Sequence, residues 1–169
     1  RRRSAREGLP AADRDVDELK GEFRGFSNFW RAPVRWGDEV TPQRTWPCNE
    51  LPYQLAKSGD AATREMGLAV YDAAEQERRG SGAAAIRKWG RQIAIREDWD
   101  TKRLEVMRDL VEDKFARNPE LARLLDSTGK GRIQEGNYWG DVFFGVMLKD
   151  DPKRGLKAGD GENRLGEML

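Results

Sequence analysis

The spacing of apolar positions predicts a mainly helical chain with one small β element. The strongest pattern lies between 100 and 117, where Leu104, Met107, Leu110, Val111 and Phe115 recur at helical spacing with Lys114 at the edge of the stripe. Asp100 is expected to cap this helix, and Asn118-Pro119 to stop it and start a short partner through Leu121, Leu124 and Leu125 that exits at Ser127-Thr128-Gly129. Upstream, Asp60 is expected to cap a helix through Ala61, Ala62, Met66, Ala69, Val70 and Ala73 that reaches Arg79 and ends at Gly80. Ser81 restarts a short helix through Ala84, Ala85 and Trp89, closed by Gly90. Before these helices, Ala32 to Trp36 and Val40 to Trp46 flank Gly37-Asp38, a two-residue loop of the glycine-first type, and so predict a β-hairpin. After them, Ile133 to Val146 read as a strand or two with a turn around Gly136. Residues 149–162 read as a charged, glycine-rich loop, and Asn163 as the cap of a last helix cut off after Leu169. Residues 1–20 carry charge, Gly8 and Pro10 without a period. They are expected to form a disordered or loosely attached arm, with the domain spanning 21–169.

One short helix stands apart from this scaffold. Asn49 is a good N-cap and Pro52 is tolerated only in a first turn, so a helix begins here. Glu50, Tyr53, Gln54 and Lys57 then share one stripe at i, i+3, i+4 and i+7, leaving Leu51 and Leu55 for the core. An acid, an amide and an amine in line fit either a solvated polar face or a site. Two other stretches carry comparable chemistry. In the first, Phe23, Phe26, Phe29 and Trp30 are interleaved with Arg24, Gly25, Ser27 and Asn28. Gly25 permits close backbone approach, and Ser27 and Asn28 can bond phosphate or sugar oxygens, although the same pattern suits a core-anchoring turn. In the second, Glu135 and Asp141 flank Tyr138-Trp139, and carboxylates beside apolar groups are those whose pKa rises.

Composition narrows the chemistry. The chain has 169 residues with 31 basic and 30 acidic side chains, a net charge of +1, so no global field points to nucleic acid or an anionic membrane. With no histidine and one cysteine there is no His-dependent triad, His-ligated zinc, Cys cluster or internal disulfide. A soluble protein in a reducing, cytoplasmic setting is therefore expected, with no metal or cofactor implied. No run approaches the roughly 18 apolar residues of a membrane span. Six tryptophans in so polar a chain suggest that some stack on a ring of a ligand.

Taken together, several motifs resemble the YbiA-like or NADAR family: Gly25-Phe26-Ser27-Asn28-Phe29; Trp46-Pro47 with Glu50, Gln54 and Lys57; Asp98-Trp99-Asp100 with Met107; Lys114-Phe115; Asn118-Pro119-Glu120-Leu121 and Leu124-Leu125; Trp139-Gly140; and Asn163 with Leu165-Gly166. The match is collinear from residue 22 to 169. The resemblance implies an orthogonal helical fold with a small β-hairpin, and N-glycosidase activity on a ribosylated heterocycle. The implied substrates are a ribosylamino-pyrimidine 5′-phosphate of the riboflavin pathway and guanine of nucleic acid carrying ADP-ribose. The second would make an ADP-ribosyltransferase toxin a partner. In this reading Glu50 is the general acid and base, and Lys57 stabilises or attacks the opened sugar, for which it should be largely buried. Asp141 or Glu135 supplies a further carboxylate. Trp46, Trp99 and Trp139 are candidates for stacking, Arg24, Ser27 and Asn28 for phosphate or ribose, and Gly25, Phe26, Phe29, Tyr53, Gln54, Gly140 and Asn163 complete the expected binding set. The chain departs from the family pattern where Leu51 follows the acid in place of His, and where Gly136 stands three residues before Trp139 in place of Asp. A non-catalytic module that binds ADP-ribose or NAD is the alternative.

Overall fold

The structure is a computed structural model that describes residues 12–169. Its elements are a 3-10 helix (Gly21–Phe26), β1 (Val34–Trp36), β2 (Arg44–Trp46), α1 (Glu50–Ala56), α2 (Ala61–Glu77), α3 (Gly82–Trp89), α4 (Trp99–Arg117), α5 (Pro119–Asp126), β3 (Gly136–Asn137), β4 (Val146–Met147) and α6 (Arg164–Met168). The fold is mainly α-helical, as the apolar spacing predicts. Contacts divide it into two compact units, one built from residues 20–121 and the other from 12–19 with 122–167.

In the larger unit α1 packs on α2, α3 and α4, and every residue from Glu50 to Ala56 is buried. The helix is thus covered on its polar stripe as well as on the side of Leu51 and Leu55. The hairpin pairs Val34 with Trp46, Arg35 with Thr45 and Trp36 with Arg44, so its connection is longer than the two residues expected. The reason is Asp38, whose Oδ1 accepts from the N–H groups of Val40 and Thr41 and builds a wider turn. Arg64, buried on α2, donates to both Asp38 oxygens at 2.6 and 2.8 Å.

That pair also explains why α2 buries a different face from the one its alanines and Met66 suggest. Asp60 caps the helix through Thr63 N–H as expected, but the buried positions are Arg64, Gly67 and Tyr71, and Met66 is 65% exposed. Gly67 is required there, because a Cβ would lie 2.7 Å from both Leu55 and Trp89. α4 starts at Trp99, two residues earlier than a cap at Asp100 would give. Asp98 occupies the N-cap position, but its side chain bonds Arg96 rather than the helix. Its buried face runs through Val106, Met107, Leu110, Val111, Lys114 and Phe115, with Lys114 only 1% exposed and so inside the stripe.

In the smaller unit, residues 1–11 of the expected arm lie outside the described residues, and the arm's later part is not loose. Arg14 N–H donates to Thr128 O, Val16 N–H to Arg132 O, and Gln134 N–H to Val16 O, at 2.7–2.9 Å. Val16 and Leu19 are buried, so two apolar side chains and a short ladder hold the stretch. β3 and β4 pair in parallel rather than as a hairpin, and Gly136 lies within β3, not at a turn. The turn comes later and is organised by Asn137, fully buried, whose Oδ1 accepts from the N–H groups of Trp139, Gly140 and Asp141. Its Nδ2 donates to Asp141 O and Val146 O. Among the described residues no helix is long and apolar enough to cross a membrane.

Candidate active site

The polar stripe of α1 is interior. Glu50 is 5% exposed, Tyr53 7% and Gln54 4%, which excludes the solvated-face reading of these three side chains. Gln54 Nε2 donates to Glu50 Oε1 at 2.7 Å, an i to i+4 contact that the helix geometry sets. The amide oxygen of Gln54, Oε1, is buried without a hydrogen-bond partner, and it faces Gly90 so closely that a Cβ there would lie 2.0 Å away. Tyr53 packs against Trp99 with ring centroids 5.2 Å apart at 56°. Lys57, the C-cap of α1, is half-buried rather than largely buried. Its Nζ reaches Gly90 O at 3.4 Å and lies 5.9 Å from the centre of the Tyr53 ring.

The helix begins by an unexpected route. Asn49 sits at the N-cap but is itself helical and makes no side-chain cap. Instead the Glu50 N–H donates to Asn28 O at 3.1 Å, and Asn49 Nδ2 donates to Asn28 Oδ1 at 3.1 Å. The segment after the 3-10 helix thereby satisfies one of the N–H groups that a helix start leaves without an internal acceptor. Asn28 Nδ2 also reaches Met107 Sδ at 3.4 Å, and Lys114 Nζ donates to Ser27 O at 2.8 Å. Cys48, immediately before Asn49, is 1% exposed. Burial pushes its thiol pKa up, and the nearby Glu50 carboxylate adds to the shift, so the thiol stays protonated.

The remaining candidates separate by environment. Phe26 is core, packed on Phe23 and Phe115, and Gly25 is a packing glycine with Leu121 2.5 Å from where a Cβ would stand. Trp46 is 2% exposed with its N–H bonded to Trp36 O, so it is a core tryptophan and offers no face for stacking. Trp99 is 7% exposed and shares the Tyr53 contact. Phe29 and Trp30 remain half-open beside the guanidinium groups of Arg87 and Arg24, at 5.6 and 4.6 Å. Glu135, Trp139, Gly140, Asp141 and Asn163 fall in the smaller unit. There Asp141 Oδ1 accepts from Phe143 and Phe144 N–H, and Asn163 accepts from Glu135 N–H while donating to Ile133 O. Asn163 stands before α6 as expected, but in the left-handed region (φ 51°), and its side chain clamps 133–135 instead of capping the helix. Trp139 is 42% exposed.

The burial of three polar features escapes the sequence reading. Lys114 carries a signal, a cation seven residues after Met107 on an apolar stripe. The Arg64 and Asp38 pair is foreshadowed by Arg64, Gly67 and Tyr71 at helical spacing. Asn137 has none, since its role depends on a loop folding back over it.

Comparison with known proteins gives this geometry a lineage. The chain is 28% identical over 154 residues to N-glycosidase YbiA of Escherichia coli, covering 88% of this chain and 78% of that protein. It is 35% identical over 124 residues to a riboflavin biosynthesis protein of Vibrio vulnificus, covering 73% of this chain but only 29% of that protein's length. The NMR structure of the E. coli protein YbiA superposes with a TM-score of 0.63 at 26% identity, covering 95% of this chain and 84% of that one. Residues 16–169 match the NADAR domain, and the chain belongs to that family.

Proposed function

We propose that this protein is an N-glycosidase that hydrolyses the bond between a ribose anomeric carbon and an exocyclic nitrogen of a heterocycle. The reading draws on the N-glycosidase name of one relative and the riboflavin biosynthesis name of another. The observation that carries it is the buried Glu50 carboxylate, held by Gln54 Nε2 at 2.7 Å on a stripe that ends in Lys57. Glu50 protonates the leaving nitrogen as the C–N bond breaks, and takes a proton from the water that adds to the anomeric carbon. An exocyclic nitrogen also lets the sugar open to an imine. The Lys57 amine then displaces the heterocycle amine from that imine, and water releases the sugar aldehyde and restores the lysine. Trp99 is the stacking candidate in the larger unit, Tyr53 and Gln54 belong to the binding set, and Arg24, Ser27 and Asn28 are the candidates for phosphate and ribose.

A ribosylamino-pyrimidine 5′-phosphate and an ADP-ribosylated guanine in an oligonucleotide both present this bond. Incubation with each, followed by chromatography of the released base and sugar, is expected to show turnover of at least one. Glu50→Gln should lower kcat by roughly a hundredfold or more. Borohydride added during turnover should trap substrate on Lys57. The departures at Leu51 and Gly136 favour a second reading, a module that binds ADP-ribose without cleaving it. Calorimetric binding of ADP-ribose with no product from either substrate would establish that reading instead.

A further inference from the structure

We infer that Lys114 is a positioning residue that fixes Glu50 through the backbone of Ser27 and Asn28. Lys114 is 1% exposed on α4, although an apolar side chain of the same length would fill the space without the cost of burying an ammonium group. Its Nζ spends one of its protons on Ser27 O at 2.8 Å. The next residue, Asn28, is held at both ends. Its carbonyl accepts the Glu50 N–H at 3.1 Å, and its side chain joins Asn49 at 3.1 Å and Met107 at 3.4 Å. Met107 and Lys114 lie two helical turns apart on one face of α4, so a single rigid helix grips the 27–28 segment twice. That segment in turn sets where α1 begins, and hence where the Glu50 side chain stands. Lys114 therefore acts on the proposed reaction without touching substrate, and this part of the inference rests on the glycosidase reading.

Lys114→Met removes the donor while keeping the buried volume. The expected result is a folded protein with an unchanged or raised Tm, in which the Glu50 amide exchanges with solvent at least about tenfold faster while amides within α4 keep their protection. The kcat of a turned-over substrate should fall by roughly tenfold or more, and Lys114→Arg should restore part of it. Amide exchange is read without any substrate, so it tests the clamp even if the protein proves to be a binder. Unchanged exchange at Glu50 overturns the inference, and so does a uniform loss of protection, which would make Lys114 merely structural. Should Lys114→Met not fold, Lys114→Gln, which keeps a donor on a shorter stem, reports on the same amide, and failure of both to fold also overturns it.

Discussion

At the scale of single residues, the side chains that decide the architecture are polar ones in apolar surroundings. Arg64 is 3% exposed and is tolerated because both Asp38 oxygens meet its guanidinium. Burial alone would raise the Asp38 pKa. The Arg64 hydrogen bond and charge, with the N–H groups of Thr41 and Val40, outweigh it and hold the carboxyl below its usual 3.8. A value lowered on folding means that the native state gives up this proton more readily than the unfolded chain. The stabilisation is therefore complete above the ordinary value and is lost as pH falls through the lowered one. Urea unfolding midpoints should accordingly drop between pH 4 and more acid conditions, and Asp38→Asn should flatten that part of the profile. Asp38→Ala, which leaves a buried guanidinium with Ser58 O and Thr41 Oγ1 but without its counter-charge, should cost up to about 3 kcal/mol at neutral pH. The sequence made Glu50, Gln54 and Lys57 legible because helical spacing alone aligns them. It did not reveal how buried each would be, since that depends on which neighbours cover the stripe, and Lys57 at the helix end is covered less than Glu50 at its start.

At the scale of elements, helices were legible wherever caps and breakers agreed, as at Asp60, Gly90 and Asn118-Pro119. Faces were less so. α2 carries enough alanine on its outer side to mimic a core stripe, while its real interface uses an arginine and a glycine, residues that hydrophobic counting treats as surface or breaker. The short β3 and β4 pairing was illegible because a parallel pair joins positions about ten residues apart only after the intervening turn has been built around Asn137. The end of α3 supplies a test of how elements cooperate at the proposed site. Gly90 has an ordinary helical φ of −64°, so alanine there strains no backbone. Its Cβ would nevertheless fall 2.0 Å from Gln54 Oε1 and must push that amide aside. Gly90→Ala is therefore expected to keep the fold but loosen the Gln54 hydrogen bond to Glu50, lowering kcat by about tenfold through a residue that touches neither substrate nor carboxylate. Circular dichroism and steady-state rates on one preparation check both halves, and an unchanged kcat would show that the amide has room to move without disturbing the acid.

At the scale of the whole molecule, the balance of 31 basic and 30 acidic side chains has a consequence for substrate choice. Many of these charges are spent on neighbours, as in the pairs Arg96 with Glu39 and Asp98, Arg117 with Asp113, and Arg132 with Asp17. Exposed pairs of this kind add little stability and leave little net field. A small ribosylated substrate with one phosphate should then meet the protein without long-range steering. Its kcat/KM is expected to change by less than about threefold between roughly 50 and 200 mM salt, since a lone phosphate carries no condensed counterion atmosphere to release. A strand of nucleic acid behaves differently, because each further neutralised phosphate multiplies the effect. Four contacts would lower affinity by about fiftyfold over the same range. Rates measured at both salt concentrations on the monomeric and the oligonucleotide substrate therefore separate the two. A shallow response on both would mean that only the ribosylated unit is gripped, and a steep one on the oligonucleotide alone would reveal a local basic track that the cancelled total charge conceals. A steep response on the monomer itself would overturn the premise, since it requires a field that a net charge of +1 does not provide.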